Sequence, residues 1–188
     1  DERNAGWVCK LVVVFYVHIY YNWFIKSTAF IHIYKRVCIK QYYQEEMAMI
    51  EIISGEKGKG KTKELLSKVN ASITSASGNI VYLDKSQKHM YELNNKVRLI
   101  NVTDYPIDNC DEFLGFICGI VSQDNDLEEM YLDSFLTIAG ISDDEQISHA
   151  IQKLDVISEK YNVKFVLSVS RDKALLPECA KAKIVISL

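Results

Sequence analysis

The chain has 188 residues, 48% apolar and 25% charged, which suits one domain with a proper core and excludes both a disordered polypeptide and two ordinary domains. A formal net charge of -3 excludes a global attraction to nucleic acid or anionic lipid, so such a partner would need a local patch. The cysteines (Cys9, Cys38, Cys110, Cys118, Cys179) are odd in number and form no C-x-x-C pair, so they read as reduced, core-filling thiols of a cytoplasmic protein rather than a disulfide framework or zinc ribbon.

Composition shifts near Met47: eleven of the 20 aromatic residues lie in the first 46 positions. Residues 11–24 (LVVVFYVHIYYNWF) are apolar but shorter than the roughly 20 residues a spanning helix needs. Three readings compete: a membrane anchor or signal, extra strands against the main domain, or a non-native or poorly packed extension. Crowded Ile, Tyr, Phe, Lys and Asn without turns or caps, and an opening on Asp1, favour the third. The division expected is therefore an extension, 1–46, and a domain, 47–188.

Within the domain, residues 49–53 (MIEII) predict a strand that stops at Ser54 and Gly55. The next eight residues, Gly55-Glu56-Lys57-Gly58-Lys59-Gly60-Lys61-Thr62, match the phosphate-loop pattern G-x-x-x-x-G-K-[ST] in full. Each residue type has a physical task there. Glycines let the backbone turn tightly and bring successive N–H groups close to phosphate oxygens. Gly60 leads into a helix over 61–69, whose N-terminal N–H groups favour an anion. Lys61 is placed to reach the β and γ phosphates of a nucleoside triphosphate, and the Thr62 hydroxyl to ligate Mg²⁺. The bland alternative is a glycine- and lysine-rich surface loop. Lys57, Lys59 and Lys63 add positive charge, but no aromatics are interleaved with them, so they give no strong nucleic-acid signal.

Ser77-Gly78-Asn79 reads as a turn before a second strand, 80–83, that ends at Asp84. Residues 96–102 predict a third strand, at a sheet edge. Asp111 is placed to cap a helix whose Phe113, Leu114, Phe116, Ile117, Ile120 and Val121 make it apolar nearly all round. Met130, Tyr131 and Leu132 then form a strand ending at Asp133. A capping box, Ser142 to Glu145, opens a helix carrying Ile147, Ile151, Leu154 and Ile157, and strands follow over 162–169 and 184–186. Strands alternating with helices predict an α/β fold of three layers, a mostly parallel sheet with helices on both faces.

From the phosphate loop, the strand-ending Asp133 and this alternation, residues 49–188 resemble the P-loop NTPase superfamily, more closely its RecA-like side. Among its members they are most similar to short bacterial ATP-binding proteins sometimes labelled twitching-motility ATPases. The resemblance implies ATP and Mg²⁺ as ligands, a strand between the phosphate-loop strand and the strand of Asp133, and a role for Asp133 in holding the magnesium. It also implies a catalytic base at Asp84, a site reading the γ-phosphate near Ser168, Ser170 and Arg171, and a catalytic part for Lys61. Position 134 is Ser, where many such ATPases carry the Glu that orients the attacking water. Hydrolysis is therefore expected to be slow unless a second copy or an activating protein completes the site. After residue 47 only Arg98 and Arg171 are arginines, too few for the arginine-rich lid of a nucleotide kinase. A nucleoside-type kinase and a non-catalytic nucleotide switch stand as the alternatives.

Overall fold

The computed structural model describes residues 49–188; the reading of 1–46 as an extension lies outside the described residues. β1 (Ile50–Ser54) is followed by the glycine-rich loop and α1 (Lys61–Ser72), then β2 (Asn79–Asp84) and β3 (Val97–Asn101). α2 (Cys110–Gln123), β4 (Leu127–Leu132), a single-turn α3 (Phe135–Ile138) and α4 (Asp144–Tyr161) come next. β5 (Lys164–Val169), α5 (Glu178–Lys181) and β6 (Ile184–Ser187) complete the chain.

The six strands form one sheet in the order β3-β2-β4-β5-β1-β6, and every pairing is parallel. Parallel strands joined by helical crossovers need both faces covered, and the side-chain alternation supplies two apolar faces. Ile50, Ile52, Val81, Leu83, Met130, Leu132, Phe165 and Leu167 pack with α2, α3 and α4 on one side. Ile53, Ile80, Tyr82, Tyr131 and Val166 pack against Leu65, Leu66 and Val69 of α1 on the other. The α/β architecture is thus an all-parallel sheet flanked by helices, with β3 at an edge.

Several local expectations shift. Asn109, not Asp111, caps α2: its side chain accepts from the Glu112 N–H, and Asp111 falls inside the first turn. α2 is less enclosed than its composition suggests, because Gly115, Cys118 and Gly119 face solvent. Cys118 is consequently an exposed thiol, Cys179 is half-buried, and of these three only Cys110 fills the core. The α4 cap also moves by one residue. Asp143 accepts from the Gln146 N–H at 2.8 Å, while the Gln146 side chain accepts from the Ser142 N–H at 2.8 Å. Asn162, read as the start of β5, instead ends α4 in the left-handed region at φ 57, which Asn tolerates better than most residues. No helix among the described residues is long and apolar enough to cross a membrane.

Glu51 ties β1 to β5 and to α1. Its carboxylate accepts from Lys164 at 2.6 Å, from β5, and from Lys68 at 2.9 Å, from α1. Burial pushes this carboxyl up, but the two ammonium groups outweigh burial and hold it below its ordinary value of 4.5. A lowered carboxylate contributes stability that is present above 4.5 and lost as pH falls through the lowered value. Glu51→Gln is expected to cost about 1–3 kcal/mol at neutral pH in urea unfolding, with the difference from wild type fading in acid.

Candidate functional site

In a parallel sheet every strand delivers its following loop to the same edge, and ligands of open α/β sheets gather there. Here β1 delivers the glycine-rich loop, β2 delivers Asp84, β4 delivers Asp133 and β5 delivers Ser168. Alternation then decides the face. Tyr82 and Asp84 share the parity of Ile80, Asp133 that of Tyr131, and Ser168 that of Val166, so all four stand on the side covered by α1. β5 lies between β1 and β4.

The loop itself is held by its backbone. Gly55 donates to the Arg171 carbonyl at 3.0 Å, and a Cβ on Gly55 would stand 2.7 Å from the Leu188 carbonyl oxygen, so no larger residue fits without a shift. Gly60, at φ 91, turns the chain into α1 through a conformation that side chains disfavour. Glu56, Lys57, Gly58 and Lys59 are exposed at the rim. Lys61 is only 6% exposed, and its ammonium makes one hydrogen bond, 2.7 Å to the Glu56 carbonyl across the loop. Burial lowers its pKa, an effect that the Asp133 charge partly opposes. Among the described residues it forms no ion pair, which is unusual for a buried lysine.

Asp133, 2% exposed, is the most heavily bonded carboxylate of the site. Its Oδ1 accepts from the Thr62 hydroxyl at 3.2 Å, the Ser168 hydroxyl at 2.6 Å and the Ser134 N–H at 2.7 Å, and its Oδ2 from the Tyr82 hydroxyl at 3.3 Å. Burial first, and then the charges of Asp133 and Asp84, push the Tyr82 phenol far up, so it remains a donor. Ser134 reaches its position at φ 52, in the left-handed region where non-glycine residues are uncommon. That turn aims its N–H at both Asp133 and, at 2.8 Å, the Ser168 oxygen. The strain, on the order of 1–3 kcal/mol, is stored in the residue that locks the carboxylate.

Asp84 is equally buried, at 2% exposure. It accepts from the Lys85 N–H at 2.7 Å and the Ser86 hydroxyl at 3.3 Å. Burial raises its pKa and the Asp133 charge adds to the rise, while the Lys85 N–H, His89 and Ser86 oppose it. His89 joins the group: Asp84, His89 and Asp133 each bring a potential ligand atom to within 4.8 Å of the others.

The structure thus brings together Lys61, Thr62, Asp84, Asp133 and Ser168, and adds Tyr82, Ser134 and His89, which sequence reasoning did not single out for this site. Tyr82 looks like core from its strand position, and His89 stands in a loop without periodicity; the only signal for either was its nearness to the strand-ending Asp84. Two of the expected γ-phosphate readers already have side-chain partners. The Ser168 hydroxyl is buried and spent on Asp133, and the Arg171 guanidinium pairs with Asp144 in the first turn of α4 while its backbone braces Gly55. Ser170 is exposed. A cavity of about 330 Å³ between the first turns of α2 and α4, lined by Asn109, Cys110, Asp111, Glu145, Gln146 and His149, contains none of the site residues.

No protein-family model matches the chain, and no match is found among curated proteins.

Proposed function

We propose that this protein binds a nucleoside triphosphate, ATP, with Mg²⁺ at the Gly55–Thr62 loop and hydrolyses it slowly, with a second copy or another protein as activator. The observation that carries this reading is the buried Lys61 ammonium. It lies in a glycine-rich loop at the start of a helix, bonded to one carbonyl and to no anion among the described residues. A triphosphate is the ligand such a loop accommodates, since its oxygens would meet the α1 N-terminus, the loop N–H groups and this ammonium together. The position of β5 between β1 and β4, and Asp133 at the end of β4, are what the resemblance to RecA-like P-loop NTPases implies.

The donor set also fits a hard divalent cation. A threonine hydroxyl and a carboxylate oxygen 3.2 Å apart, Thr62 and Asp133, are ligands magnesium accepts alongside water and phosphate. When bound, the ion supplies positive charge against the phosphate oxygens. The chain's own residues do the rest. Lys61 binds phosphate and meets the negative charge that develops on it, Tyr82, Ser134 and Ser168 keep Asp133 in one orientation, and Asp84 accepts a proton from water. A carboxylate whose pKa is raised by burial is better suited to that last task than an exposed one.

Phosphate release from Mg-ATP by the full chain tests the reading, with Asp84→Asn beside it. The variant is expected to lose hydrolysis by about 10²-fold or more while still binding ATP. It is also expected to gain stability without nucleotide, on the order of 1 kcal/mol at neutral pH. The sign follows from the raised pKa: the cost of Asp84 is absent below 3.8, grows as pH rises toward the raised value, and is full above it. An Asp84→Asn variant that hydrolyses ATP at the wild-type rate removes Asp84 from the chemistry.

A further inference from the structure

His89 is the member of the Asp84, His89 and Asp133 cluster for which neither the fold nor the nucleotide-binding elements account. It stands on the loop after β2, and its side chain is 28% exposed, so it is the solvent-reaching group beside two buried carboxylates. Its Nδ1 is 2.7 Å from Glu92 Oε1, which fixes the ring plane. Glu92 is 60% exposed, and a surface pair of this kind contributes little to the fold. Nε2 makes no hydrogen bond among the described residues.

Hydrolysis at this site requires a group that orients water, and position 134, beside Asp133, is a serine whose backbone is already engaged. Asp84 alone would leave a water molecule free to swing about a single hydrogen bond. A second contact point removes that freedom, and correct orientation of the attacking atom is worth orders of magnitude in rate.

We propose that His89 is a catalytic residue of the hydrolysis, seating the attacking water together with Asp84; this rests on the nucleotide reading given above. The water oxygen forms a bond to the γ-phosphorus as the bond from that phosphorus to the β,γ-bridging oxygen breaks. The electron pair of that bond leaves with ADP. The proton lost by the water passes to Asp84 and then to solvent, so ATP and water yield ADP, inorganic phosphate and one proton. His89 holds and directs the water through a hydrogen bond, with its ring fixed by Glu92.

The test is phosphate release from Mg-ATP by the full chain and by His89→Ala and His89→Gln, with ATP affinity measured in parallel and folding checked by circular dichroism. His89→Ala is expected to lower kcat about 10- to 100-fold while ATP affinity stays within about twofold. His89→Gln, which keeps a hydrogen-bonding group of similar reach, is expected to retain more turnover than the alanine variant. Wild-type turnover in folded His89→Ala overturns the inference and leaves the nucleotide reading standing. An affinity loss that matches the kcat loss also overturns it, since that is the mark of a binding or structural role. Wild type that binds ATP without releasing phosphate overturns it as well, whereas folded wild type that fails to bind ATP overturns the reading beneath it.

Discussion

Lys61→Met is expected to weaken Mg-ATP binding by about 30-fold or more and, without nucleotide, to make the protein more stable than wild type. The first effect follows from removing one partner of a desolvated charge contact, which costs roughly 2–5 kcal/mol of binding. The second follows from what the ammonium does in the absence of an anion. It is buried, its pKa is lowered by burial, and a single carbonyl is its only bonded partner. A lysine whose folded pKa is lowered imposes its full penalty below that value. The penalty fades as pH rises from there toward the ordinary 10.5, so wild-type stability should climb relative to the methionine variant across that window. Methionine keeps the volume and flexible stem while dropping the charge. Thermal unfolding and ATP titration of the two proteins measure both effects. A lysine kept for structure would give the opposite stability change.

Asp133→Asn is expected to reduce turnover by about 10³-fold and to remove the magnesium dependence of ATP binding. Asparagine suits the test because its carbonyl oxygen can still accept from Thr62, Ser134 and Ser168, and its amide can donate to the Tyr82 oxygen. The alanine variant, by contrast, would leave the Thr62, Ser168 and Tyr82 hydroxyls without their acceptor, each costing about 1–3 kcal/mol, while the Ser134 N–H keeps the Ser168 oxygen. Asn thus separates loss of charge from loss of structure. Turnover at the wild-type level in a folded Asp133→Asn protein, still dependent on magnesium, would remove Asp133 from the metal site.

Much of this arrangement is legible in the sequence because its cause is local. Strands here are short apolar runs closed by Gly, Asp or Ser, so β1, β2 and β4 end within a residue of where Ser54, Asp84 and Asp133 put them. The glycine loop announces itself by spacing alone. What escapes depends on tertiary geometry or on a choice between adjacent residues. Asn109 and Asp111 are both good caps, as are Ser142 and Asp143, and only the backbone angles decide between them. α3 has four residues and an N-cap that makes no side-chain hydrogen bond, so neither periodicity nor capping chemistry marks it. The left-handed Ser134 has no signal, because sequence statistics would place glycine there. Strand order is set by how crossovers pack, not by any one segment, and that order is what joins Ser168 and Tyr82 to Asp133.

The most direct test of a phosphate-binding Lys61 site is calorimetric titration of ATP into the folded full chain, with and without magnesium. One saturable site whose affinity rises with magnesium and collapses in Lys61→Met is the expected result. A folded chain that takes up no ATP at millimolar concentration in either condition would contradict it.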